Sequence, residues 1–265
     1  MGFGAFLILE VLIFLFLQTE RVQRAFQRDF DRSGAIGGLD AMFDDYFRGL
    51  TLTLYVMIFT VFLLGGLFLA LVGGDIVSKE AEDGTLRMTL CRPVSRLRVL
   101  AIKYFTCIAY TFALILFVAG TTLAMGCIWR GMGGLFAFIP DEKLVAILPS
   151  TEGLQRFGTA LIYYATAMCA LTSLSFMFSC FNMKPAAATV STLAIFLADR
   201  ILYIWPQFAE YRHWFMASHL ASWLNIFRDP IPWSKIAEDY LFLFGLNATF
   251  VIVGMTVFCR RDFKS

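Results

Sequence analysis

Residues 50–74 run for 25 positions without one charged side chain. As a helix such a run reaches about 37 Å, at 1.5 Å per residue, against about 30 Å for the hydrocarbon core of a bilayer. Five further apolar runs, at 3–17, 100–126, 158–181, 185–205 and 238–259, read the same way. Backbone groups in lipid must find partners within their own segment, and these runs lack the apolar–polar alternation of barrel strands. The expectation is an all-α integral membrane protein of six transmembrane helices, with residues 1–265 as a single transmembrane domain. Composition agrees: 59% of the chain is apolar and 16% charged, where soluble domains hold about 45–50% and about 25%.

Several chemistries are excluded. A net charge of +2, with no basic block apart from the helix flanks, gives no footprint for nucleic acid. The six cysteines (91, 107, 127, 169, 180, 259) lie mostly inside apolar runs and form no CxxC pair; they read as packing residues. There is no GxxxxGK[ST], HExxH or GxSxG motif, so no nucleotide cradle, zinc helix or nucleophile elbow is expected. His213 and His219, six apart, fall nearer opposite faces of a helix than one face. No catalytic, cofactor or metal residue is nominated, and the chain is not expected to be an enzyme.

Gly74 to Arg96 is a dense polar island between two long apolar runs. Gly84 breaks the incoming helix, Asp83 or Thr85 can cap a short helix beginning near Leu86, and Leu86 and Leu90 share one face while Arg87 and Arg92 project elsewhere. Pro93 ends that helix, and Ser95 can cap the next, through Arg96, Arg98 and Lys103. The bland alternative is a solvated connector. The second loop on the same side, Asn182 to Pro185, is far shorter. Together with 75–103 and 260–265, residues 182–184 carry ten of the 22 Lys and Arg in about 40 residues, and the other segments carry twelve in about 95. That density puts these loops, and the C-terminus, in the cytosol.

Glu80, then Gly84-Thr85-Leu86, then Pro93-Val94-Ser95-Arg96, with Lys103 opening the next run, resembles the first cytosolic loop of ABC-2-type permeases, the membrane halves of ATP-driven transporters. The resemblance covers nearly the whole chain, down to the ending Arg260-Arg261-Asp262-Phe263. It implies a cytosolic coupling helix between helices 2 and 3, with Glu80, Gly84, Thr85, Leu86, Arg87, Leu90, Pro93 and Arg96 engaging separate ATPase subunits that bind the ATP. It also implies a half-transporter, an exporter in a cell membrane (the bacterial inner membrane), dimerising with a second copy or a paralogue. Related permeases begin with a basic cytosolic segment that this sequence does not display, and 3–17 spans only about 22 Å, so the native start is left open.

Gly66, Ala70 and Gly74 on the second run, and Ala187, Ser191, Ala194 and Ala198 on the fifth, form small-residue stripes that let helices approach closely. The plain reading is packing within the chain. In ABC-2 permeases these two helices line the path and the dimer contact. Two acids interrupt apolar runs. Glu10, mid-run, should be protonated, paired or near water, with substrate contact or proton relay as the functional alternative. Asp199, beside Arg200, reads as a positional anchor near the surface. The aromatic, proline-broken segments 127–157 and 205–237 read as interfacial, with a short helix from Ala209 to Phe227; residues 18–48 read as an amphipathic helix, 20–32, followed by a Gly-rich turn. The rival to a permease is an ATP-independent ion-coupled carrier or channel using Glu10 and Asp199, although no internal repeat of the kind such carriers show is found.

Overall fold

The computed structural model describes residues 2–17, 19, 48–85, 95–139 and 144–260. The expected amphipathic helix at 20–32 lies outside them. Helices α1 (Gly2–Leu17), α2 (Gly49–Thr60), α3 (Gly66–Glu82), α4 (Arg96–Arg130), α5 (Ser150–Cys180), α6 (Pro185–Ile204), α7 (Met216–Leu220) and α8 (Trp233–Arg260) dominate the fold. A π-helical turn, Val61–Gly65, joins α2 to α3 without a break. Gly49–Glu82, α4, α5, α6 and α8 are each long and apolar enough to cross a membrane; α1 is apolar but shorter. Large apolar side chains remain exposed along α1, α4, α6 and α8, including Phe16, Phe105, Ile201 and Phe244, which is the surface lipid covers. The protein is an all-α membrane protein.

The helices outrun the apolar runs that reveal them. Hydropathy ends the second run at residue 74, but α3 continues through Asp75, Lys79 and Glu80 to Glu82. Likewise α4 begins at Arg96, α5 at Ser150 and α8 at Trp233. Apolarity marks only the length in hydrocarbon, while the hydrogen-bond ladder runs on into water until something stops it.

The chain forms two compact units. The first draws on Met1–Leu64, Ile115–Ile162 and Leu224–Pro232. Its core packs Phe14 and Leu17 of α1 against Leu52, Tyr55 and Val56 of α2, with Ile13 and Met125 at the margin. Here the segment 127–157, expected as interfacial, holds a β-hairpin: β1 (Leu135–Ile139) pairs antiparallel with β2 (Leu144–Leu148), Leu135 opposite Leu148. The other edge of β1 is satisfied by α2. Backbone N–H groups of Phe136 and Phe138 donate to Thr51 Oγ1 and Tyr55 Oη, both at 2.8 Å, and Tyr55 Oη donates back to the Phe138 carbonyl at 2.9 Å. A buried strand edge needs such partners. Arg156 ties 224–232 to α5, donating to Glu152 at 2.6 Å and to the Arg228 carbonyl at 2.8 Å.

The second unit draws on Gly65–Leu114, Tyr163–Trp223 and Trp233–Ser265. Val77, Leu100, Phe176, Cys180 and Phe258 form its buried cluster, with Ile76, Ala81, Tyr104 and Met255 packed against it. Hydroxyls stitch α4 to α5, Tyr104 to Ser173 at 3.0 Å and Thr111 to Thr172 at 2.8 Å. Such interhelical bonds in lipid contribute about 0.6 kcal/mol each. The expected single helix from Ala209 to Phe227 is instead three short pieces: a 3-10 stretch at Pro206–Trp214, α7, and a second 3-10 stretch at Ser222–Phe227. Extended backbone at Phe215 separates the first two.

Candidate functional site

The root of the polar segment is built as the spacing demands. The backbone N–H of Asp83 donates to the Lys79 carbonyl at 2.9 Å, the last bond of α3. Gly84 follows at φ +74°, a left-handed conformation that glycine adopts freely and other residues at a cost. Thr85 Oγ1 donates back to the Glu80 carbonyl at 3.4 Å. On the far side, Ser95 Oγ accepts from the Arg98 N–H at 3.4 Å and caps α4, whose first residue, Arg96, is exposed. Leu86, Arg87, Leu90 and Pro93 lie outside the described residues.

Lys103 links the two ends. Its Nζ donates to the Ile76 carbonyl at 2.8 Å and meets Glu80 Oε1 at 2.5 Å. A cation at a carbonyl near the C-terminal end of α3 also complements the helix dipole. The sequence marks Lys103 only as the opening of a run; its reach back to Glu80 was not foreseen, because it depends on how α3 and α4 lie beside each other.

The stripe on α3 is a packing surface. A Cβ on Gly74 would sit 2.7 Å from Thr189 Oγ1 and 3.2 Å from the Thr189 nitrogen, while one on Gly66 would meet Leu171 and Phe196 at ordinary distances of 3.7 and 3.9 Å. Ser175 Oγ of α5 donates to the Ala70 carbonyl at 2.6 Å. Gly73, outside the predicted stripe, is the tightest approach to α5, with Ser175 Cβ at 2.8 Å from its would-be Cβ. On α6 the side facing this packing is Ala188, Thr189, Thr192 and Phe196, all buried. The predicted stripe does not lie there: Ala187, Ala194 and Ala198 are exposed and Ser191 is half-buried. As a surface for packing within the chain that stripe is corrected; it faces outward.

The two intramembrane acids are both engaged. Glu10 is 1% exposed and accepts a hydrogen bond from Thr121 Oγ1 of α4 at 3.0 Å. Asp199 receives the N–H groups of Met216 on Oδ1 at 3.0 Å and of Ala217 on Oδ2 at 2.6 Å, so it anchors the start of α7 to α6. Nearby, Asp239 of α8 gathers Ser222 Oγ at 2.6 Å and His219 Nδ1 at 2.8 Å, and His219 Nε2 lies 3.0 Å from the His213 carbonyl oxygen. The His219 ring stacks on Phe242 at 4.0 Å. Asp239 and Ser222 were missed by the sequence reading. The available signal was an acid at the mouth of the last apolar run, which calls for a partner at that depth.

Five helices long and apolar enough to cross a membrane, with a polar stretch between α3 and α4, define a multi-pass helical membrane protein. Residues 4–211 match the family described as "ABC-2 family transporter protein". That is well over half of the chain, which belongs to this family. A stretch of 74 residues, 27% of the chain, is 38% identical to the "Uncharacterized protein YhcI" of Bacillus subtilis (strain 168) and spans 23% of that protein's length. No solved structure matches the chain significantly.

Proposed function

We propose that the chain is the membrane subunit of an ABC exporter, two copies of it, or one copy and a paralogue, forming the translocation path. Separate ATPase subunits bind the segment 83–95 from the cytosol, hydrolyse ATP and rock the membrane helices between inward- and outward-open states. The short α1 makes the sixth crossing, and the C-terminus lies in the cytosol, in the manner of a bacterial inner-membrane protein. No cofactor is held by the chain.

The observation that carries this reading is the Lys103 link at the root of that segment. A flexible connector would absorb any push from a partner. The helices that flank the segment are cross-braced by Lys103, so that a push delivered at its ends, Gly84 and Ser95, reaches α3 and α4 together. Family membership supports the partner class. The outward-facing stripe on α6, Ala187, Ala194 and Ala198, supports a second permease subunit against that helix.

The test is co-purification of the chain with the ATPase encoded beside it, followed by ATP hydrolysis with and without each component. Turnover should require the ATPase and change on adding the permease. Nucleotide-dependent turnover by the purified chain, with contaminating ATPases excluded, sinks the proposal.

A further inference from the structure

An open-sided pocket of about 200 Å³ lies in the second unit, lined by Leu174, Ile195, Asp199, Trp214, Met216, Phe242, Leu246 and Phe250. Seven of the eight lining residues are uncharged and mainly apolar, three of them aromatic, and the one charged side chain is the carboxylate of Asp199. Trp214 and Met216 come from the outer segment that Asp199 anchors. Among the described residues Asp199 takes part in no ion pair, although Arg200 and His219 add favourable charge around it.

Two backbone N–H donors, one per oxygen, are the pattern an ionised carboxylate makes. They hold its plane still and leave each oxygen a further lone pair. The rings of Trp214, Phe242 and Phe250 add faces that attract cations. Apolar walls with one fixed polar group are the usual make-up of a small-molecule site. We propose that this cavity binds a small lipophilic ammonium ion, its nitrogen on Asp199 and its apolar body against Trp214, Phe242 and Phe250. Charge complementarity chooses this occupant over a zwitterionic lipid, whose phosphate would find no cationic side chain among the lining residues. It chooses it over a neutral acyl chain as well, which would leave the carboxylate uncompensated.

The experiment measures equilibrium binding of radiolabelled phenethylammonium to the full chain in phosphatidylcholine nanodiscs, with 2-phenylethanol as the neutral isostere. Saturable binding of the ammonium is expected, about tenfold or more tighter than the alcohol. Leu246→Trp fills the cavity without touching Asp199 and should weaken binding by about tenfold or more, as should Asp199→Asn. Because Asp199→Asn also disturbs the α7 anchor, Leu246→Trp with an unchanged melting temperature is the deciding variant. Equal affinity for the alcohol, the result for a groove that merely holds lipid chains, overturns the proposal. Non-saturable binding, or full affinity in Leu246→Trp, does so too. The assay contains no ATPase and no transport step, so its failure leaves the permease reading standing.

Discussion

Lys103 Nζ lies 2.5 Å from Glu80 Oε1, and the same nitrogen holds the Ile76 carbonyl at 2.8 Å. The first turns of α4 are thereby fastened to the last turns of α3 across the polar segment. Lys103 is largely buried and Glu80 more than a third exposed, at 13% and 39% of their side-chain surface. Solvent screens a pair of this kind, which contributes about 1 kcal/mol or less. Its value to the protein is therefore geometric more than thermodynamic.

Lys103→Met is expected to leave insertion and folding nearly unchanged, with a melting temperature a few degrees lower at most, while ATP hydrolysis by the assembled complex no longer responds to the permease. A thermal melt beside an ATPase assay on the reconstituted complex separates the two effects. A large loss of stability with normal coupling would show the link to be a structural brace only.

At Gly84 a side chain would meet nothing within 4 Å, yet the backbone sits at φ +74°. Gly84→Ala should therefore cost about 1–2 kcal/mol of local conformational energy with no steric clash, re-aiming the segment 85–93 without unfolding the helices. Leu86→Asp should weaken capture of the ATPase by burying an unpaired charge in the contact, a cost of a few kcal/mol. Arg98→Ala, at the exposed start of α4, is the control. Full partner binding by Leu86→Asp removes the coupling assignment for this segment.

Along α3, Gly66→Ala should change stability by no more than about 0.5 kcal/mol, since its Cβ meets neighbours at 3.7 Å and beyond. Gly73→Ala and Gly74→Ala should each destabilise by about 1–3 kcal/mol, because their Cβ atoms would fall 2.8 Å from Ser175 Cβ and 2.7 Å from Thr189 Oγ1. Melting of the three single variants in one detergent reads this order directly; a Gly66 variant as unstable as the other two contradicts it.

Between Glu80 and Cys259 the chain passes through α4, α5, α6 and α8, each long enough to cross the bilayer. An even number of crossings puts the two residues on one side. A membrane-impermeant thiol reagent should label Cys259 and a Glu80→Cys variant from the same face of oriented vesicles, in a background without other accessible cysteines. Labelling from opposite faces would mean that one of these four helices does not span.

If ATP drives the transporter, Glu10 has no proton to carry, and Glu10→Gln should keep both its hydrogen bond with Thr121 and near-normal coupled ATPase activity. Glu10→Leu should cost about 1 kcal/mol or less, because Thr121 Oγ1 can donate instead to the Phe117 carbonyl at 2.9 Å. Transport abolished by Glu10→Gln with stability intact would favour the ion-coupled carrier.

Five of the six expected runs are helices long and apolar enough to cross a membrane, and they were readable from residue order because solubility in lipid is local. An uncharged run such as 50–74 must pair its backbone within itself wherever it lies in the fold. The stop at Gly84 and the cap at Ser95 were readable for the same reason, since φ preference and side-chain capping act over a few residues. The hairpin at 135–148 was not recognised, although Gly133-Gly134 before it and Pro140-Asp141 within it are turn signals; its aromatic, apolar residues suit an interface equally well, and the partners that satisfy β1 sit on α2, more than 80 positions away. The faces of α6 show the limit most plainly. Small residues recur at helical spacing on both the Ala187–Ala198 side and the Ala188–Thr192 side, so spacing cannot say which one is covered. Close approach of α3, set by Gly74 against Thr189, buries the second and leaves the first outward. The same holds for Lys103 with Glu80 and for Asp199 with Met216 and Ala217: each residue's polarity announced that a partner was needed, and the packing of helices distant in sequence supplied it.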